Sequence, residues 1–159
     1  MPQREGIDRI MGKLPSGISI LTVGTEDKAT GMLASWVMQA GFEPPMVSVA
    51  IKQGRYVAEW ITAGQPFNLN LVGQSQGIHL KHFGKGFEPG TPAFEGVDIV
   101  TCPRGVPILR KSLGHLQCEP RTHADSGDHR IFIAEVIRGA LSDQELAPMV
   151  HIRNSGSHY

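Results

Sequence analysis

Apolar residues recur along this chain at two periods. Ile7, Ile10, Met11 and Leu14 are three or four apart, which predicts a short amphipathic helix over residues 6–14, stopped by Pro15. Residues 17–23 (GISILTV) alternate small and β-branched side chains and predict a strand, with polar 24–28 as its turn. A second strand is expected from about Ala29 to Gln39. Glu43-Pro44-Pro45 then interrupts the chain, because neither proline can donate to a ladder, and 46–52 (MVSVAIK) is the clearest strand. Residues 56–63 have helical spacing closed by Gly64 and Pro66, and 67–72 (FNLNLV) alternate with period two, the mark of a half-exposed strand. A helix is expected over 74–82, ending at Gly84. Residues 84–106 carry five glycines and three prolines and read as an excursion with one short strand at 97–101. Residues 116–122 and 130–138 read as two strands about the polar turn 124–128. The second of these (RIFIAEV) is apolar on both faces, as in a strand buried on both sides. Residues 148–154 are expected to form a last strand, followed by a frayed end.

Six or seven short strands with two or three short helices predict a mainly β fold: a closed antiparallel barrel decorated by helices, in one domain over residues 1–159. Composition agrees, since 19 glycines and 11 prolines among 159 residues argue against a helical bundle. The 40% of apolar residues suffices for a core. Fifteen basic and fifteen acidic side chains cancel, which removes the electrostatic case for nucleic acid or an anionic membrane as main partner. No apolar run approaches the ~20 residues of a membrane span, and residues 1–30 lack the layout of a signal peptide. Cys102 and Cys118 make neither a disulfide framework nor a zinc site, and they read as thiols in a reducing compartment. The expectation is a soluble cytoplasmic chain without membrane insertion.

Candidate chemistry is sparse. His79 and His82 share a helix face and read as solvated, while His123, Asp125, Asp128 and His129 crowd one hairpin where such residues commonly serve to turn. No metal site is expected. Gly-x-Ser-x-Gly and Gly-x-Gly-x-x-Gly motifs are both absent. The informative stretch is Thr30-Gly31-Met32-Leu33-Ala34-Ser35-Trp36, followed by Pro44-Pro45 and the strand to Lys52. Gly31, Ala34 and Ser35 leave room for a planar ligand against backbone; Thr30 and Ser35 offer hydroxyls, and Lys52 a cation for a phosphate. Two adjacent core strands with small residues would look the same, and spacing alone leaves both readings open.

Five motifs in register favour the ligand. Thr30–Ser35, Pro44-Pro45 through Lys52, Phe67–Leu71, Phe83-Gly84, and Gly127-Asp128-His129 with Ile131–Val136 resemble the flavin reductase-like family of FMN-binding split barrels, from about residue 10 to 152. The closing residues His151–Tyr159 resemble the end of the flavin reductase module of cyanobacterial-type flavodiiron proteins, which implies one module of a longer chain. The resemblance implies a homodimeric split barrel with flavin at or near the subunit interface. The flavin it implies is FMN, with FAD the alternative, and the co-substrate it implies is NAD(P)H. It assigns Thr30, Gly31, Leu33, Ala34 and Ser35 to the flavin ring and ribityl chain, Ala50 and Lys52 to the phosphate, and His129 to the nicotinamide. Phe83 and Gly84 match a family segment with one residue missing. The sequence departs from the family at Leu33 and Trp36, where hydroxyl residues are usual. The implied activity is hydride transfer from NAD(P)H to flavin N5, with electrons passed on to a flavodiiron core that reduces dioxygen. The alternative is a non-catalytic dimerisation or docking barrel that has lost its flavin, an exposed Trp36 anchoring the interface.

Overall fold

The computed structural model describes residues 2–142 and 146–159. Helix α1 (Pro2–Gly12) leads into β1 (Ser16–Gly17) and β2 (Ser19–Val23). A 3₁₀ turn at Glu26–Lys28 leads to β3 (Thr30–Ala34), β4 (Val37–Gly41) and β5 (Met46–Lys52). Next come α2 (Tyr56–Thr62), β6 (Phe67–Leu71) and α3 (Ile78–Phe83). The excursion holds β7 (Ile99–Thr101) and β8 (Pro107–Leu109). Two 13-residue strands follow, β9 (Gly114–Ser126) and β10 (His129–Leu141), and the last element is β11 (Val150–His151).

Seven strands form one antiparallel sheet in the order β3-β2-β6-β9-β10-β5-β4. The stretch read as one strand over 29–39 is therefore two, lying on the two outer edges of the sheet. Only Ser35 and Trp36 separate them. Each residue spans at most about 3.6 Å, so the edges must approach one another and the sheet curls into a barrel that no ladder closes. The Ala50 amide, donating to the Trp36 carbonyl at 3.0 Å, extends the β4–β5 register by one residue up to that split.

Inside the barrel, Leu21, Val23, Val47, Val49, Ile51, Phe67, Leu69, Phe132 and Ala134 pack with Val57, Ala58 and Ile61 of α2. Strand β2 is buried on both faces, because its outer residue Ile20, with Ile18 just before the strand, meets Val72, Phe83 and Leu109 beneath the excursion. The expectation of two buried faces on β10 is corrected: Phe132 and Ala134 are buried, while Ile131, Ile133 and Glu135 are half-covered. Strand β6 errs the other way. Asn68 and Asn70, expected at the surface, are 2% and 0% exposed because the β7–β8 hairpin roofs them. They stay satisfied through the roof's backbone: Asn68 donates to the Pro107 carbonyl at 3.1 Å, while Asn70 donates to the Ile20 carbonyl and accepts from the Leu109 amide, both at 2.9 Å. The solvated helix face expected at His79 and His82 is likewise corrected. His79 is buried and donates to the Lys111 carbonyl, and His82 donates to the Ala93 carbonyl at 2.7 Å, so both pin the excursion onto α3. Among the described residues no helix is long and apolar enough to cross a membrane.

Asn70→Leu leaves the buried Leu109 amide without an acceptor. A loss of about 1–3 kcal/mol is expected, measured as a lower urea midpoint at unchanged slope.

Candidate functional site

Strands β5 and β10 pair so that Ala50 faces Ile131 and Lys52 faces His129. Alternation sends Val49, Ile51 and Phe132 into the core and leaves Ala50, Lys52 and His129 on the outer face. The β9–β10 turn is only Gly127-Asp128, with Gly127 at φ +58°, a conformation that suits glycine. Gln53 holds it, donating through its side chain to the carbonyls of Gly127 and His129 at 3.2 and 3.1 Å. This places Asp128 Oδ1 2.7 Å from His129 Nδ1. The hydrogen bond to His129 holds the Asp128 carboxyl below the usual carboxylate range. With Nδ1 donating, the neutral imidazole presents Nε2 as an acceptor, and the Tyr159 hydroxyl meets it. Burial pushes the Tyr159 phenol above its ordinary value.

Trp36 completes this group. Its ring centroid lies 4.7 Å from His129 and 5.3 Å from Tyr159, with the Arg153 guanidinium 5.2 Å from the indole centroid. A cavity of about 390 Å³ opens beside them, lined by Trp36, Lys52, Asp128, His129, Tyr159 and Arg4 among others.

The segment that carries Tyr159 is tied to α1. Asp8 accepts from Ser155 at 2.7 Å and from Ser157, its backbone carbonyl takes the Gly156 amide at 2.7 Å, and Gly12 takes the Arg153 amide at 2.9 Å. A Cβ on Gly156 would lie 2.4 Å from that of Met11, so only glycine lets the segment lie this close.

A second cavity, about 360 Å³, is lined by Gly31, Met32, Gly54, Arg55, Tyr56, Val57, Lys85, Gly86, Phe87 and Glu88. Two cations face one carboxylate there, a donor set suited to a phosphate. The Tyr56 hydroxyl donates to the Phe87 carbonyl at 2.6 Å and stands 3.1 Å from Thr30 Oγ1. Since a carbonyl only accepts, the tyrosine proton goes to Phe87, and Thr30 donates to Tyr56.

The proposed ligand residues thus fall into two groups. Ala50, Lys52, His129 and Trp36 meet on the outer face, while Gly31 lines the second cavity and Thr30 lies behind it, bonded to Tyr56. Gly31 has a packing reason for its size, because a Cβ would come within 2.8 Å of the Phe83 ring. Phe83 is fully buried behind it, and Gly84 is exposed at the end of α3. Ala34 is buried in the main core and Leu33 is half-buried against the second cluster, leaving backbone as what each presents most readily. Ser35 is 9% exposed at the split. The Trp36 indole lines the first cavity and not the second, so it bears on one group and leaves the other untouched. Among the described residues no three His, Cys, Asp or Glu side chains converge on a metal position. Asp125 is taken by Arg130 at 2.7 Å. Cys118 lies in the main core, where burial pushes its thiol up to about 12.

A family model described as the flavin reductase like domain matches residues 11–157. The chain belongs to that family. The diflavin flavoprotein A 3 named in Nostoc sp. is 37% identical over 155 residues, covering 96% of this chain and 27% of that protein. Diflavin flavoprotein A 1 of Synechocystis sp. is 34% identical over 154 residues with the same coverage. This flavin reductase-like domain therefore spans about a quarter of the length of the curated relatives it matches. Among solved structures, the Streptomyces globisporus NADH:FAD oxidoreductase SgcE6 superposes with a TM-score of 0.83 at 27% identity, covering 93% of this chain and 86% of that one. The styrene monooxygenase flavin reductase of Pseudomonas putida S12 gives 0.78 at 27% identity, covering 95% and 93%.

Sequence reasoning missed Arg55, Tyr56, Lys85, Arg153 and Tyr159. Arg55 had a signal, a second cation three residues beyond Lys52. Tyr159 had none, since its partners are far away in sequence and no period connects them.

The Asp8 carboxyl is held below its ordinary range chiefly by the Ser157 hydroxyl, then by Ser155. A depressed folded value means that docking of residues 153–159 is stabilised above the unfolded value and loses that support as pH falls through the folded one. With Trp60→Phe leaving Trp36 as the one tryptophan, Trp36 emission should change in that acid window. Asp128 titrates there too, so Asp8→Asn, expected to release the segment at neutral pH, separates the two.

Proposed function

We propose that this domain transfers hydride from NAD(P)H to a flavin, FMN or alternatively FAD, and that in the longer protein the electrons pass on to a flavodiiron core that reduces dioxygen. The observation that carries the reading is the pairing of Lys52 with His129 across β5 and β10, beside the small outer residue Ala50 and an open cavity. Support comes from the solved neighbours. SgcE6 is titled an NADH:FAD oxidoreductase and has also been solved with NAD and FAD fragments, and the styrene monooxygenase neighbour is titled a flavin reductase. The relatives' name, diflavin flavoprotein, and their greater length support the second half.

The residues present suit a flavin. Backbone of Thr30, Gly31, Leu33, Ala34 and Ser35 offers donors and acceptors to the ring and ribityl chain, with Phe83 fixing Gly31 from behind and Gly84 ending the helix that carries it. Ala50 leaves space, and Lys52, with Arg55 and Lys85 at the second cavity, supplies charge for a phosphate. A bound flavin supplies the hydride-accepting N5, which none of the twenty side chains can replace. His129, oriented by Asp128, holds out an Nε2 acceptor to an amide N–H such as that of a nicotinamide carboxamide. No acid–base pair is needed for hydride transfer itself, so the work of this chain is to position two rings and neutralise charge.

A homodimer belongs to the same reading. Edge strand β4 borders an apolar groove of about 420 Å³ lined by Ile18, Val37, Met38, Met46, Leu116 and Val136 among others, and Phe42 at its hairpin tip is 88% exposed. Light scattering should give twice the chain mass, reverting toward one on Phe42→Asp.

The direct test adds FMN or FAD to the purified domain and follows bleaching of flavin absorbance with NADH or NADPH. Binding at micromolar flavin and bleaching are expected, and Lys52→Met should weaken flavin binding about tenfold, the loss of one charge-assisted contact. A colourless dimer that takes up neither flavin would instead establish the docking-module reading, which the closed packing of Trp36, His129 and Tyr159 favours.

A further inference from the structure

Tyr159 is not a core residue. It is 58% exposed, yet its ring lies 5.3 Å from Trp36 at 46° and 5.9 Å from His129 at 66°, and its hydroxyl satisfies the one free nitrogen of His129. His129 is left 9% exposed. A flat ring carrying a hydrogen-bonding group, set against an indole and an imidazole, has the shape and polarity of an aromatic amide in the same place. The segment that brings it there is fastened by polar contacts: Ser155 and Ser157 on Asp8, the Gly156 amide on the Asp8 carbonyl, and Arg153 donating to the His158 carbonyl at 2.8 Å. Such contacts exchange readily with water, unlike a buried apolar anchor.

We propose that Tyr159 occupies the place of the hydride donor's nicotinamide and must leave it before the donor can reach His129, so that this tyrosine sets the domain's affinity for pyridine nucleotide. The proposal rests on the reading of His129 as the nicotinamide contact. Closed, the domain keeps Nε2 bonded and Trp36 covered. Open, it offers both to the nucleotide. The apparent dissociation constant is then the intrinsic one divided by the open fraction, and weakening the closed state tightens binding without adding any contact to the ligand.

Two measurements test this. In the Trp60→Phe background without flavin, nicotinamide mononucleotide titrated into the protein should change Trp36 emission. Its dissociation constant should fall about fivefold in Tyr159→Ala, with Tyr159→Phe between the two, as expected when the closed state is the more populated one. In the flavin-loaded domain, the KM for NADH should fall by a similar factor in Tyr159→Ala, with the effect on KM rather than kcat. Urea midpoints of both variants establish that they are folded. Unchanged or weaker binding in Tyr159→Ala overturns the proposal, weaker binding meaning that the tyrosine stays and stacks on the ligand. Flavin bleaching with an unaltered KM overturns it alone. If the wild-type domain binds flavin but neither NADH nor NADPH bleaches it, the reading of His129 fails and takes the proposal with it.

Discussion

Two residues, Ser35 and Trp36, join strands that lie on opposite edges of a seven-stranded sheet, and the curl of the whole barrel follows from that short tether. A sheet so constrained must roll up, burying Val47, Val49, Ile51, Phe132 and Ala134 on its inner side. Trp36 continues the β4–β5 register, its carbonyl accepting from the Ala50 amide, so its side chain shares the outer face of Ala50, Lys52 and His129. That is why an indole at position 36 can reach the outer face of β5 and β10 and lie against His129. The tether that curls the sheet also carries the indole to the chemistry beside it.

The chain over residues 84–113, the excursion and the segment that follows it, has a second structural duty. Strand β6 carries Asn68 and Asn70 on its outer face, and a roof of apolar side chains alone would have stranded them. Backbone carbonyls at Val106 and Pro107 and the amide of Leu109 meet them instead. Each contact is worth little net, but an unmet buried amide costs more than a made one returns. The polar roof therefore selects one seating of the excursion over others, which fixes Phe83 behind Gly31 and so the wall of the second cavity.

These placements show what could be read from the chain. The strand 46–52, the helix at 56 and the β9–β10 hairpin were legible because alternation and punctuation are local. The five motifs gave the family and the split barrel. Burial of His79, His82, Asn68 and Asn70 was not legible, since a roof formed by residues eleven to about forty positions away leaves no period in the segment it covers. For the site, Lys52 and His129 were named from sequence and the sheet sets them face to face. Gly31 was named for openness, and the structure adds the Phe83 ring as the constraint that excludes a Cβ. Tyr159 was read as part of a frayed end, because only three-dimensional closure brings residue 159 to residue 129.

Leu33 and Trp36 carry no hydroxyl, and at position 36 that bears on more than affinity for a flavin. A hydroxyl at position 36 would hydrogen-bond locally and leave the outer face of His129 open to water. An indole instead supplies a broad apolar plane, and a plane needs a partner. Arg153 takes one position near it through a cation–π contact, and Tyr159 another through a tilted stack. Once Asp128 has fixed the tautomer of His129, the remaining nitrogen also needs a donor, and the same tyrosine provides it. Aromatic surface and lone pair are thus satisfied together by a single side chain on a segment held through serines and glycine. A ligand in its place would satisfy the same two groups by offering both a flat face and an N–H or O–H, as an aromatic amide does.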